Sequence, residues 1–188
     1  MTSLSLAIAN YATAYADLEK FQQQEPNQDP HLRPLPKGDQ KTSCIGEYYA
    51  LQFAQTREGW EEAHCSFAPN SQKGWDIKVQ QSEEVIRIQV KTVSEFGQGK
   101  LSPIHRNGDD PDLNWDRLWL LFLDTTLRPV LFWELDYQHV RFDEHAILKG
   151  KTMRIPTEPQ SGSHCFDWEQ ARNLTEPLQS AIIVNQPS

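Results

Sequence analysis

Between residues 75 and 93 the spacing of apolar residues leaves room for little except two paired strands. In WDIKV, residues 75–79, Ile77 and Val79 alternate with Asp76 and Lys78. In EVIRIQVKTV, residues 84–93, Ile86, Ile88 and Val90 alternate with Arg87, Gln89 and Lys91. Successive side chains of a strand point to opposite faces, so one face of this pair is apolar and the other polar. QSEE between the two runs supplies the hairpin turn.

The rest of the chain alternates between helical and strand periods. Leu4, Ile8, Tyr11, Tyr15, Leu18 and Phe21 recur at helical spacing and predict an amphipathic helix over 3–23. Residues 24–41 contain Pro26, Pro30, Pro34 and Pro36 and read as an extended linker. The first helix is then an arm that packs on the domain or on a partner. A second helix is predicted over 43–57, with Ser43 as N-cap and Gly59 as stop. Ile45, Tyr49 and Phe53 form its apolar face, and Glu47 lies near the edge of that face.

Residues 63–68 predict a strand and 69–74 a turn. Residues 95–116 read as a long polar loop, and loops of that length are usually functional or mobile. RLWLLFLD at 117–124 predicts a buried strand, with VLFWEL at 130–135 as its hairpin partner. A helix is expected near 136–146, a short edge strand at MRIP, and a last helix from 167–174 that Pro177 ends or kinks. Trp115, Trp119 and Trp133 are expected in the core or at its edge. The resulting division is an arm (1–23), a linker (24–41), a domain (42–180) and a tail (181–188).

Composition narrows the setting. No apolar run approaches the ~20 residues that cross a bilayer. The N-terminus lacks a basic start followed by an apolar block, so no signal peptide is expected. Cys44, Cys65 and Cys165 form no metal-type pair, which fits a reducing cytoplasm. His64-Cys65 and His164-Cys165 place adjacent residues on opposite strand faces, a poor start for a four-ligand zinc site. The net charge is −8, against a broadly basic nucleic-acid binder, yet residues 73–106 carry six Lys or Arg against four Asp or Glu. A basic strip on an acidic protein can still meet phosphate. Lys73, Lys78, Lys100, His105 and Arg106 are the candidate phosphate contacts.

On the polar face of the hairpin, Asp76 faces Gln89 and Lys91, and Glu47 on the preceding helix can pack across the same sheet. Two carboxylates, an amide oxygen and a lysine suit Mg²⁺, which takes oxygen ligands and keeps several waters. The Val90 backbone carbonyl is a further candidate ligand. An ordinary solvated sheet face carrying cross-strand polar pairs would show the same residues.

GEYYALQFA, GWDIKV and IRIQVKTVS together resemble the PD-(D/E)xK nuclease superfamily, over roughly residues 43–135. In that family an acid on the first core helix precedes an Asp at one strand and an (E/D)xK on the next; Glu47, Asp76 and Lys91 match. Gln89 stands where the second acid is usual, a QxK variant that occurs among active members, and Trp75 stands where the proline is usual. The resemblance implies an α/β, restriction-endonuclease-like core: a mixed central β-sheet of four or five strands flanked by helices. It implies Mg²⁺, or Mn²⁺, on Asp76, Glu47, Gln89 and the Val90 carbonyl, and hydrolysis of DNA phosphodiester bonds in restriction or defence. Cutting both strands calls for a homodimer or a partner subunit. Two other readings share the pattern: a degenerate core that binds nucleic acid or protein without cleaving, and an end-cleaving or nicking subunit of a transposition or repair complex.

Overall fold

Alternation and buried apolar runs build one central sheet. The computed structural model of the protein describes residues 4–24, 40–69, 74–95, 100–101, 104, 106–142, 153–154 and 166–184. Helices α1 (Leu4–Gln24) and α2 (Gln40–Thr56) lead into strands β1 (His64–Phe67), β2 (Ile77–Gln81) and β3 (Glu84–Ser94). Then come β4 (Lys100–Leu101), β5 (Arg117–Leu123), β6 (Pro129–Asp136), β7 (Met153–Arg154), β8 (Arg172–Asn173) and α3 (Thr175–Val184).

The main sheet runs β1-β2-β3-β5-β6-β8, and β4 pairs with β7 in a second, two-stranded sheet. Among the described strands only β3 and β5 are parallel; every other neighbouring pair is antiparallel. The protein is therefore mixed α/β. The parallel step lies at the centre of the sheet, where apolar runs such as RLWLLFL are buried on both faces.

One core cluster lies on the α2 side of the sheet. Ile77, Val79, Ile86, Ile88, Val90, Trp119 and Phe132 meet Tyr49, Ala50 and Phe53 there, and Ile8 and Ala12 of α1 join them. The other face gathers Trp75, Val93, Trp115, Leu118, Leu120, Trp133 and Phe166. Trp115, Trp119 and Trp133 are all buried, as their apolar contexts predict. Among the described residues, no helix is long and apolar enough to cross a membrane. Cys65 is a free thiol.

Several boundaries differ from expectation. Helix α2 starts at Gln40, which puts Ser43 inside it and not at its cap; Gln and Lys are good helix formers and extend the run. Over its described residues, 136–142, the predicted helix at 136–146 is a 3-10 turn at Tyr137–His139, because Val140 turns extended and pairs with Phe166. The predicted helix start at 167–174 is instead a turn followed by β8. There Trp133 pairs with Asn173, the Leu174 N–H donates to the Phe132 carbonyl, and Asn173 Oδ1 accepts the Thr175 N–H where α3 begins. Pro177 falls in the first turn of α3, where its missing N–H loses no intrahelical bond, so it neither ends nor kinks a helix. The long loop at 95–116 contains β4 and a 3-10 turn over Pro111–Leu113. The linker prolines and His164-Cys165 lie outside the described residues.

Candidate active site

Strand β3 outruns its neighbour. Ile77 pairs with Ile88, and there β2 ends; residues 89–94 pair with β5 alone among the described strands. The Arg87 carbonyl accepts from Asp116 on the β5 side, and the Ile88 carbonyl accepts from Asp76 on the β2 side. Alternation then directs both backbone groups of Val90 toward the β2 side, past the end of that strand.

Asp76 occupies this open edge. It is not a strand residue, as the alternation in WDIKV suggested, but the residue before β2. Its N–H donates to Ile88 and its carbonyl accepts from Ala68, both at 2.8 Å. Its Oδ2 accepts the Val90 N–H at 2.7 Å. Trp75 Nε1 donates to the Asp112 carbonyl at 2.9 Å, which anchors the same short stretch to the 106–116 segment. Gly74 is required here: a Cβ would lie 1.7 Å from the Leu113 carbonyl oxygen.

Gln89 and Lys91 share a face, as the period predicts. They lie opposite Leu118 and Leu120 of β5, residues of the cluster remote from α2. Gln89 is 1% exposed. Its Nε2 donates to the Gly74 carbonyl at 2.9 Å, while its Oε1 is buried with no partner among the described residues. Buried polar atoms are nearly always paired, so this oxygen is open to a water or an ion.

Glu47 comes from α2, half-buried, on the other side of the β3 edge. Burial, and then the nearby Asp76 carboxylate, push its pKa up to about 7 against the pull of Lys91. Burial holds the Lys91 ammonium below its ordinary range, opposed by Asp76 and Glu47. Glu47, Asp76 and Lys91 thus form one electrostatic group. Among the described residues no three His, Cys, Asp or Glu side chains converge to hold a metal. The oxygen donors at this edge are two carboxylates, the Gln89 amide and the Val90 carbonyl. That is a donor set of the kind Mg²⁺ takes, with less negative charge than three carboxylates would bring.

The expected phosphate contacts fare unevenly. Lys78 is half-buried and lies directly opposite Arg87, and Arg106 is exposed. The Arg87 guanidinium donates to the Pro111 carbonyl at 2.8 Å, and the Arg87 backbone N–H donates to Asp116 Oδ2 at 2.7 Å. Lys100 lies in β4, but its side chain, like Lys73 and His105, falls outside the described residues.

A second polar cluster, around Glu134, is not among the residues that the sequence motifs single out. Glu134, fully buried on β6, receives Arg57 through two bonds of 2.6 and 2.9 Å. Trp119 Nε1 reaches it at 2.8 Å, Arg172 Nε at 2.9 Å and Arg117 Nη1 at 3.3 Å. Burial alone would raise its pKa, but these donors, Arg57 foremost, hold the carboxyl below its usual range. The signal in the sequence was a lone carboxylate within the apolar run VLFWEL. This cluster clamps the end of α2 to β5, β6 and β8.

Compared with protein-family models and with curated proteins, the chain matches none.

Proposed function

We propose that this protein is a divalent-metal-dependent nuclease that hydrolyses DNA phosphodiester bonds on a restriction-endonuclease-like core. The observations that carry the reading are the buried Gln89 oxygen, unpaired among the described residues and two positions from Lys91 on the same strand face, and the electrostatic coupling of Lys91 to Glu47 and Asp76. A mixed sheet with its parallel step beside the site, and α2 packed across it, supports the same architecture.

Asp76, Glu47, the Gln89 Oε1 and the Val90 carbonyl would hold Mg²⁺ or Mn²⁺. When bound, the ion supplies Lewis acidity toward a phosphate oxygen and a lower pKa for a coordinated water. Asp76 is fixed for this by the Val90 N–H, so its carboxylate does not have to be ordered on loading. Glu47, whose pKa burial and Asp76 push up to about 7 in the metal-free site, would release its proton on taking the cation. Lys91 offers its ammonium to the charge that grows on the phosphoryl oxygens. Water oxygen bonds to phosphorus and gives up one proton to solvent, the bond from phosphorus to the ester oxygen breaks, and the departing oxygen takes a proton from solvent.

Lys78 and Arg87, directly opposite each other on the polar face, suit the approach of a phosphate backbone. Cutting both strands needs two such sites, so a homodimer or partner subunit in a reducing cytoplasm belongs to the proposal, as does a role in restriction or defence. The neutral Gln89 favours a second reading, a core that binds nucleic acid without cleaving it. Incubating supercoiled plasmid with Mg²⁺ or Mn²⁺ separates the two. Nicking by the wild type that Asp76→Ala and Lys91→Ala abolish supports the nuclease. Retention of plasmid in a gel shift, without nicking or measurable cation binding, overturns it.

A further inference from the structure

The stripe of α2 that meets the sheet is Gly46, Tyr49, Ala50, Phe53 and Ala54, all buried, and it continues into Arg57. Gly46 and Arg57 lie about three helical turns apart on that stripe. At the far end Arg57 is fixed by Glu134. At the near end a Cβ added to Gly46 would lie 1.9 Å from Thr92 Oγ1, 2.5 Å from its Cγ2 and 2.7 Å from its Cβ. Rotating Thr92 exchanges the first two atoms but leaves its Cβ in place. The helix backbone therefore rests directly on the Thr92 side chain, and only glycine permits this.

Gly46 also weakens the helix, by about 1 kcal/mol relative to Ala, so close approach is what the residue gains. Its chain neighbour is Glu47, about 100° round the helix and on the margin of the same stripe.

We propose that Gly46 is a positioning residue: its missing side chain lets α2 settle onto Thr92 of β3, and that contact sets how deeply Glu47 enters the site. The magnitudes favour an effect on ligand binding. Ordinary carbon contacts are roughly 3.5–4.0 Å, so an alanine here must displace the helix or the strand by about an ångström or more. Metal–oxygen distances tolerate only about 0.2 Å. A displaced Glu47 is lost as a ligand even where the fold survives.

The inference rests on the divalent-cation reading of the site. Its test is calorimetric Mn²⁺ titration of the full chain as wild type, Gly46→Ala, Gly46→Ala/Thr92→Gly, Glu47→Gln and Gly46→Ala/Glu47→Gln, with thermal melts of each. Gly46→Ala is expected to weaken Mn²⁺ about tenfold and to add nothing in the Glu47→Gln background. Removing the Thr92 side chain as well restores affinity to within about twofold. Wild-type affinity in Gly46→Ala overturns the inference, as does an equal further loss beside Glu47→Gln. Should Gly46→Ala fail to fold, the Thr92→Gly double variant must recover the fold and Mn²⁺ binding, or the inference falls. A wild type that binds no Mn²⁺ overturns the metal reading and this inference together, while the melting cycle between Gly46 and Thr92 still reports the contact.

Discussion

Asp76 Oδ2 accepts the Val90 N–H at 2.7 Å, so the acid at the open edge is hydrogen-bonded to the residue between Gln89 and Lys91. The bond fixes the carboxylate relative to both side chains and separates its structural role from its charge. Asp76→Asn keeps an oxygen for the amide and loses the charge. Its melting temperature is expected to stay within a few degrees of wild type, while Mn²⁺ affinity, read by calorimetry, falls by more than about tenfold. Unchanged affinity would remove Asp76 from the proposed ligand set.

Gln89 is the departure from an all-carboxylate site, and Gln89→Glu tests what the departure does. The substituted oxygen would face the Gly74 carbonyl, which now accepts from Nε2, at a buried position. An uncompensated buried carboxylate is costly. The metal-free variant is expected to melt below wild type, and saturating Mn²⁺ to raise its melting temperature by more than it raises that of wild type. Equal metal-induced shifts would show that Gln89 lies off the cation.

Glu47 and Glu134 give stability opposite slopes with pH. The Glu47 pKa rises from 4.5 to about 7 on folding, so between those values the folded state holds more protons than the unfolded chain. Stability therefore falls as pH rises through about 4.5–7. Glu134 is shifted down, so its contribution is present above about 4.5 and is lost as pH falls below that. Urea midpoints measured across pH 3–8 are expected to peak near the ordinary carboxylate range. Glu47→Gln should flatten the limb above the peak and leave the acid limb in place.

The clamp around Glu134 predicts the largest loss of stability. Glu134→Ala leaves Arg57, Arg117 and Arg172 crowded without their common anion. Breaking one side of a buried ion pair typically costs about 3–5 kcal/mol. Neutralising Asp112, whose side chain is exposed where Arg87 approaches it at 3.9 Å, should change stability by under about 1 kcal/mol. Urea unfolding of both variants checks the contrast, and comparable effects would mean that Glu134 is not the anchor of α2.

Much of the centre of the molecule was legible in the order of residues. The β2–β3 hairpin, the buried β5 and its return in β6 follow from period and apolar run length. The shared face of Gln89 and Lys91 follows from parity alone. The ends were less legible. Residues 167–174 have helical-looking composition, yet β6 recruits Arg172 and Asn173 as a strand, and contact with a sheet edge outweighs weak local preference. The alternation of its neighbours predicts a strand at Asp76; its bonds to Ile88 and Val90 instead hold it just outside.

What the sequence by itself determined was direction: which side chains point together along each strand, because backbone geometry ties that to position within a few residues. What only the tertiary structure decided was distance across the fold. Arg57 meets Glu134 from 77 positions away, and Gly46 meets Thr92, because α2 crosses the sheet close enough for one ion pair and one missing side chain to fix it at both ends. The buried, unpaired Gln89 oxygen is of the same kind: whether an amide finds a partner depends on every segment packed around it.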